Sequence, residues 1–139
     1  MIKFIFGGWA SLGRIIAIAN QKGGVGKSTT AINLSSCLGE MGQKVLTIDM
    51  DPQGNTTSGM GVDKDEQENT VYELLLGETN IEDCILKLDF DGLSLIPSNV
   101  NLAGAEIELI GIEEKEYILK NQVEKVKNDY DYIIVDCPP

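Results

Sequence analysis

Short β-branched runs alternate along this chain with longer stretches that place an apolar residue every third or fourth position. Ile15-Ile16-Ala17-Ile18-Ala19 is a continuous apolar run and reads as a buried strand. From Lys27 to Glu40 the spacing is helical, with Ile32, Leu34, Leu38 and Met41 marking the apolar side and Gly42 placed as the C-terminal stop. Lys44–Asp49 predicts a second buried parallel strand, and Asp51–Gly61, rich in Gly, Asn, Thr and Pro, predicts a loop at its C-terminal end. Thr70-Val71-Tyr72-Glu73 forms a capping box that opens a short helix, which Gly77 closes. A second short helix is expected over Ile81–Ile85. Leu93–Pro97 reads as a strand ended by proline. Asn101–Leu109 and Glu113–Asn128 read as helices, the latter with one stripe of Leu119, Val123, Val126 and Tyr130. Tyr132–Asp136 is a buried strand ending in a carboxylate, followed by Cys137-Pro138-Pro139.

Strand and helix in alternation imply an α/β fold, a mostly parallel sheet with helices on both faces. Ligands of such sheets sit beyond the C-terminal ends of the strands. The sequence ends directly after a core strand, with no helix to cover it. The expectation is an N-terminal part, residues 14–139, of a longer domain whose sheet is incomplete at the C-terminus. Residues 1–13 fit an extra edge strand, a frayed tail or an upstream start site; their apolar part, Phe4–Phe6, is too short for a signal peptide. They carry no assigned function.

Composition narrows the possibilities. The 139 residues are 42% hydrophobic and 24% charged, ordinary values for one soluble globular domain. The 22 acidic residues outnumber the 11 basic ones, giving a net charge of -11, which argues against this segment being a nucleic-acid surface by itself. Four acids between Asp63 and Glu68 read as a solvated loop. Cys37, Cys84 and Cys137 lie far apart in a chain without histidine, so they read as small buried hydrophobes in a reducing cytosol and not as zinc ligands. No run approaches 18 apolar residues, so no membrane span is expected.

The chemistry is concentrated between Asn20 and Thr30. Three glycines, Gly23, Gly24 and Gly26, follow the first strand and precede the first helix. Glycine lets backbone N–H groups close around an anion, and the helix aims its own unpaired N–H groups at the same point. Lys27 is placed to reach the β/γ-phosphates of a nucleotide, and the Ser28 hydroxyl to ligate Mg²⁺. The loop departs from G-x-x-x-x-G-K-[ST], with Gln21 where the first glycine belongs and an additional Lys22. Lys22 either stabilises charge developing in phosphoryl transfer, on its own nucleotide or a facing subunit's, or is a solvated lysine beside an ordinary phosphate loop.

Two carboxylates join this loop at neighbouring strand ends. Asp136 has the position of an acid that supports Mg²⁺ through its water shell; its plain alternative is a strand-end cap. Asp51 lies on the loop nearest the expected γ-phosphate, where a carboxylate can orient the attacking water; its alternative is an Asx-turn before Pro52. Asp49 reads as support for the loop or the metal shell.

Taken together, residues 14–139 closely resemble the ParA/Soj family of partition ATPases. This is the deviant Walker A class of P-loop NTPases that also includes MinD and the nitrogenase iron protein. The resemblance rests on Lys22–Thr29, on Asp49–Asn55 with Thr56-Thr57, on Leu102–Glu106 and on Ile133–Pro139. It implies ATP and Mg²⁺ as cofactors, held by Lys22, Gly23, Gly24, Val25, Gly26, Lys27, Ser28 and Thr29, with Ser28, Asp51 and Asp136 as the metal set. It implies Lys22, Lys27 and Asp51 as catalytic residues, with Lys22 reaching the nucleotide of the partner in a homodimer. It further implies ATP-driven dimerisation, non-specific DNA binding through the C-terminal half, and hydrolysis stimulated by a ParB-type partner. The setting would be the bacterial cytoplasm on the nucleoid, with chromosome or plasmid copies segregated and no membrane engaged. The alternatives are a membrane-positioning ATPase like MinD, against which Pro52-Gln53-Gly54-Asn55 speaks, and a truncated, non-catalytic product.

Overall fold

The structure, a computed structural model, describes residues 3–7, 14–19, 26–90, 92–108 and 114–138. In chain order the elements are β1 (Lys3–Gly7), β2 (Arg14–Ala19), α1 (Lys27–Glu40), β3 (Val45–Asp49), α2 (Asn55–Gly59), α3 (Val71–Leu75), α4 (Ile81–Cys84), β4 (Leu86–Lys87), β5 (Leu93–Ile96), α5 (Leu102–Glu108), α6 (Glu114–Glu124) and β6 (Tyr132–Asp136). The strands form one sheet in the order β1-β2-β6-β3-β5-β4. Its four central strands are parallel, and β1 and β4 pair antiparallel at the two edges. The architecture is the expected one, a mostly parallel sheet with helices on both faces. Of the alternatives for residues 1–13, residues 3–7 take the edge strand, Lys3 opposite Ala19.

Side chains alternate across each strand. Ile16, Ile18, Val45 and Ile134 gather with Ala31 of α1 on one face of the sheet. Leu46, Ile48, Ile133 and Val135 gather on the other face with Val71 and Leu74 of α3, Leu102 and Ala105 of α5, and Leu119 and Val123 of α6. The same alternation turns Asp49 and Asp136, at the tips of β3 and β6, toward α1. They are register partners across the β3–β6 ladder.

Helix α1 has the expected bounds but not the expected buried side. Its buried positions are Lys27, Ala31, Ser35 and Gly39. Leu34 and Leu38 pack only at the flank, and Met41 is 72% exposed. Small residues at i, i+4 spacing let the helix lie close to the sheet, where the Ser35 hydroxyl donates to the Ala31 carbonyl and lies 2.8 Å from Thr47 Oγ1 of β3. Gly59 extends this closeness to α2, since a Cβ there would stand 2.3 Å from Ile32 Cδ1.

Further differences follow local chemistry. The segment read as a loop contains α2, started by left-handed Gly54. The helix expected over Glu113–Asn128 runs as α6 only to Glu124, with a separate 3-10 turn at Lys127–Asp129; Glu113 and Leu109 lie outside the described residues. Leu119, Val123 and Val126 are buried as expected, with Tyr130 packed at their edge. The capping box forms as read: Glu73 accepts from Thr70 N and Thr70 Oγ1 accepts from Tyr72 N. Of the cysteines, Cys84 is buried, and burial pushes its thiol up to about 11. Cys137 is half-buried. Cys37 corrects the reading, because it stands on the exposed side of α1.

Asp49 ties β3 to the loop that follows. Its carboxylate accepts from Asp51 N (3.1 Å), Thr57 N (2.9 Å) and Thr57 Oγ1 (2.7 Å). Burial raises its pKa to about 6; the Thr57 and Asp51 donors pull it back, while the Asp136 charge pushes it up. Between the ordinary value of 3.8 and about 6, the folded chain keeps a proton that the unfolded chain has lost. This cost is absent below that window and complete above it, so Asp49 makes stability fall as pH rises through it. Asp49→Asn should therefore flatten the pH dependence of urea-unfolding stability between about pH 4 and 6, removing a slope worth on the order of 3 kcal/mol.

Candidate functional site

The site grows from the strand tips outward. Lys22, Gly23, Gly24 and Val25, the first half of the phosphate loop, lie outside the described residues. Gly26 is described: it adopts φ +82° and precedes α1, whose first turn contains no acidic residue and receives no side-chain cap. The N–H groups of that turn keep the geometry of an anion-facing helix start.

Lys27 opens α1 and is buried beneath the loop after β3. Its ammonium pairs directly with Asp136 Oδ1 and stands 3.5 Å from Asp51 Oδ2. Ser28 Oγ donates to Asp136 Oδ2 at 3.1 Å. Thr29 is exposed, and the neighbouring Thr30 hydroxyl donates back to the Gly26 carbonyl. Lys27, Ser28, Asp51 and Asp136 are thus brought to one point from three separate segments.

Asp51 closes the turn of its plainer reading and keeps one carboxylate oxygen outside it. Its Oδ1 accepts from Gln53 N at 3.0 Å, the Asx-turn, while Oδ2 faces Lys27. The Asp51 carbonyl accepts from Gly54 N (2.9 Å) and Ser98 Oγ (2.7 Å), so the turn is clamped from β5 as well. Asp49 supports the loop, as read.

Three buried hydroxyls were given no role by sequence reasoning. Thr56 Oγ1 donates to Asp136 Oδ2 at 2.6 Å. Thr57 bonds Asp49, and its oxygen accepts from Ser98 N. Ser98, one residue past Pro97, holds Asp51 from the tip of β5. The signal available was the Thr56-Thr57 pair after a strand-end Gly-Asn, together with a polar residue at a third strand end.

The donor set suits Mg²⁺ carried with a polyphosphate. Among the described residues, no three Asp, Glu, Cys or His side chains form a protein-only cage. Mg²⁺ characteristically takes one or two carboxylates and completes its shell with phosphate oxygens and water. A hydroxyl–carboxylate pair such as Ser28–Asp136 beside a lysine fits that demand, and two further carboxylates nearby suit a divalent cation.

A family model described as an AAA domain matches residues 13–139. The sporulation initiation inhibitor protein Soj of Bacillus subtilis is 51% identical over 128 residues, covering 92% of this chain and 51% of that protein. The chromosome partitioning protein ParA of Myxococcus xanthus is 46% identical over 132 residues, covering 95% and 47%. A crystal structure of cobyrinic acid a,c-diamide synthase from Mycobacterium smegmatis, with bound ADP and magnesium, matches with a TM-score of 0.84 at 41% identity, covering 93% of this chain and 51% of that one. The chain spans about half the length of the curated relatives it matches. Matched from residue 13 to its last residue by the domain model, and over nine-tenths of its length by Soj and ParA proteins, the chain belongs to the ParA/Soj family of AAA-domain, P-loop proteins.

Proposed function

We propose that this chain carries the ATP- and Mg²⁺-binding part of a partitioning ATPase that acts on chromosome or plasmid copies. The observation that supports this most is the meeting of Lys27 and Ser28 with Asp136, 109 and 108 residues away, on a single buried carboxylate. An ordinary surface lysine would not be placed there.

In this reading the N–H groups of residues 23–28 cradle the phosphates and Lys27 turns from Asp136 to the β/γ-phosphates. Ser28, Asp51 and Asp136 hold Mg²⁺, which when bound offsets charge on the phosphate oxygens. Asp51, with one oxygen fixed by Gln53 N, uses the other to orient the attacking water. Lys22 reaches across an ATP-dependent homodimer, and a ParB-type protein stimulates turnover. DNA binding is assigned to the length that relatives have beyond this span, consistent with the net charge of -11. The place of action is the bacterial cytoplasm, on the nucleoid. Among the described residues no helix is long and apolar enough to cross a membrane.

Three substitutions test these roles. Lys27→Ala should abolish ATP binding in calorimetry, and Lys27→Gln should do the same while keeping a donor for Asp136 and hence the fold; retained binding by both refutes the phosphate role. Asp51→Ala should bind ATP within a few-fold of wild type and lose at least ~100-fold in hydrolysis, measured as phosphate release with the ParB-type partner and DNA present. Normal turnover by that variant removes Asp51 from the reaction. Lys22→Ala should sediment as a monomer in ATP, and a persisting dimer rejects the cross-subunit assignment.

A further inference from the structure

Thr56 is fully buried, although it sits in a stretch whose composition reads as surface loop. Its hydroxyl has one proton to give, and gives it to Asp136 Oδ2 over 2.6 Å, closer than Ser28 Oγ at 3.1 Å on the same oxygen. Lys27 occupies the other oxygen. Of the three donors on Asp136 among the described residues, Lys27 and Ser28 belong to α1, whereas Thr56 belongs to α2, the helix that directly follows the Asp51 turn. Its neighbour Thr57 is engaged elsewhere, on Asp49 and Ser98. Consecutive side chains of a helix diverge by ~100°, so the two hydroxyls address the two neighbouring strand-tip carboxylates separately.

We propose that Thr56 is a positioning residue for magnesium-dependent nucleotide binding. Its hydrogen bond fixes the rotation of the Asp136 carboxyl, so that Oδ2 stays aligned to accept the Ser28 proton. The lone pairs of Ser28 are thereby left for the cation. The same bond draws the Asp51 turn against the metal-supporting acid. This rests on the nucleotide reading above and adds a residue to it.

The test is calorimetric binding of a non-hydrolysable ATP analogue to wild type, Thr56→Val and Thr56→Ser, each with Mg²⁺ and with EDTA. Valine keeps the shape without the hydroxyl; Thr56→Ala replaces it if the valine variant does not fold. Affinity in EDTA should stay within about twofold of wild type, whereas the gain on adding Mg²⁺ should shrink about tenfold, the scale of one charge-assisted hydrogen bond. Thr56→Ser should restore the gain. An unchanged magnesium gain in the hydroxyl-free variant, or an equal loss in the serine variant, overturns the proposal while leaving the site reading intact. Failure of wild type to bind the analogue in either condition overturns the site reading, and this proposal with it.

Discussion

Two carboxylates buried side by side govern this structure. Asp49 and Asp136 are register partners on adjacent parallel strands, and neither is exposed to solvent. Buried charges of one sign cannot be left unpaired at that separation. The sequence answers with different donors for each. Asp136 receives an ammonium and two hydroxyls; Asp49 receives two backbone N–H groups and one hydroxyl. Every one of those donors comes from α1 or from the segment between β3 and the end of α2. Satisfying the acids therefore pulls the start of the first helix and the Asp51 turn over the same strand tips.

Strand order makes this closure late. β6 is the last of the described strands, yet it lies between β2 and β3, so Asp136 is inserted between elements already separated by α1. Contacts of Asp136 with Lys27, Ser28 and Thr56 span 109, 108 and 80 residues. Closing loops of that length costs entropy before any contact offsets it. The capping box of α3, by contrast, is complete within residues 70–73 and needs nothing distant. Local elements can thus form early, while the constellation that would meet a nucleotide exists only once residues 132–136 have docked.

How much of this was legible in the sequence depends on whether the signal is local or relational. Helix α1, β6 and the capping box were readable to within a residue because turns, caps and β-branched runs act through neighbours. The buried side of α1 was not, because periodicity weights Leu34, Leu38 and Met41 by hydrophobicity. Close packing on the sheet instead selected Ala31, Ser35 and Gly39 by size, with Ser35 made tolerable by bonds to Ala31 and Thr47. Cys37 was misplaced for the same reason: it lies on the opposite side from that small-residue stripe. Helix α2 was hidden because Gly, Asn, Thr and Pro announce turns, and only the donors to Asp49 and Asp136 organise those turns into a helix.

The site shows the same division more sharply. Gly26, Lys27, Ser28, Asp51 and Asp136 could be picked out because each stands at a strand end or a glycine loop. Thr56 and Ser98 could not, since a hydroxyl gains a role only from the group it faces. Asp51 also shows why two sequence readings need not compete. A turn former and a catalytic carboxylate were alternatives as residue identities, but a carboxylate has two oxygens. One closes the Asx-turn with Gln53 N, and that bond removes rotational freedom and so keeps the second oxygen facing Lys27. The turn thereby leaves one oxygen outside it, available for the role proposed above.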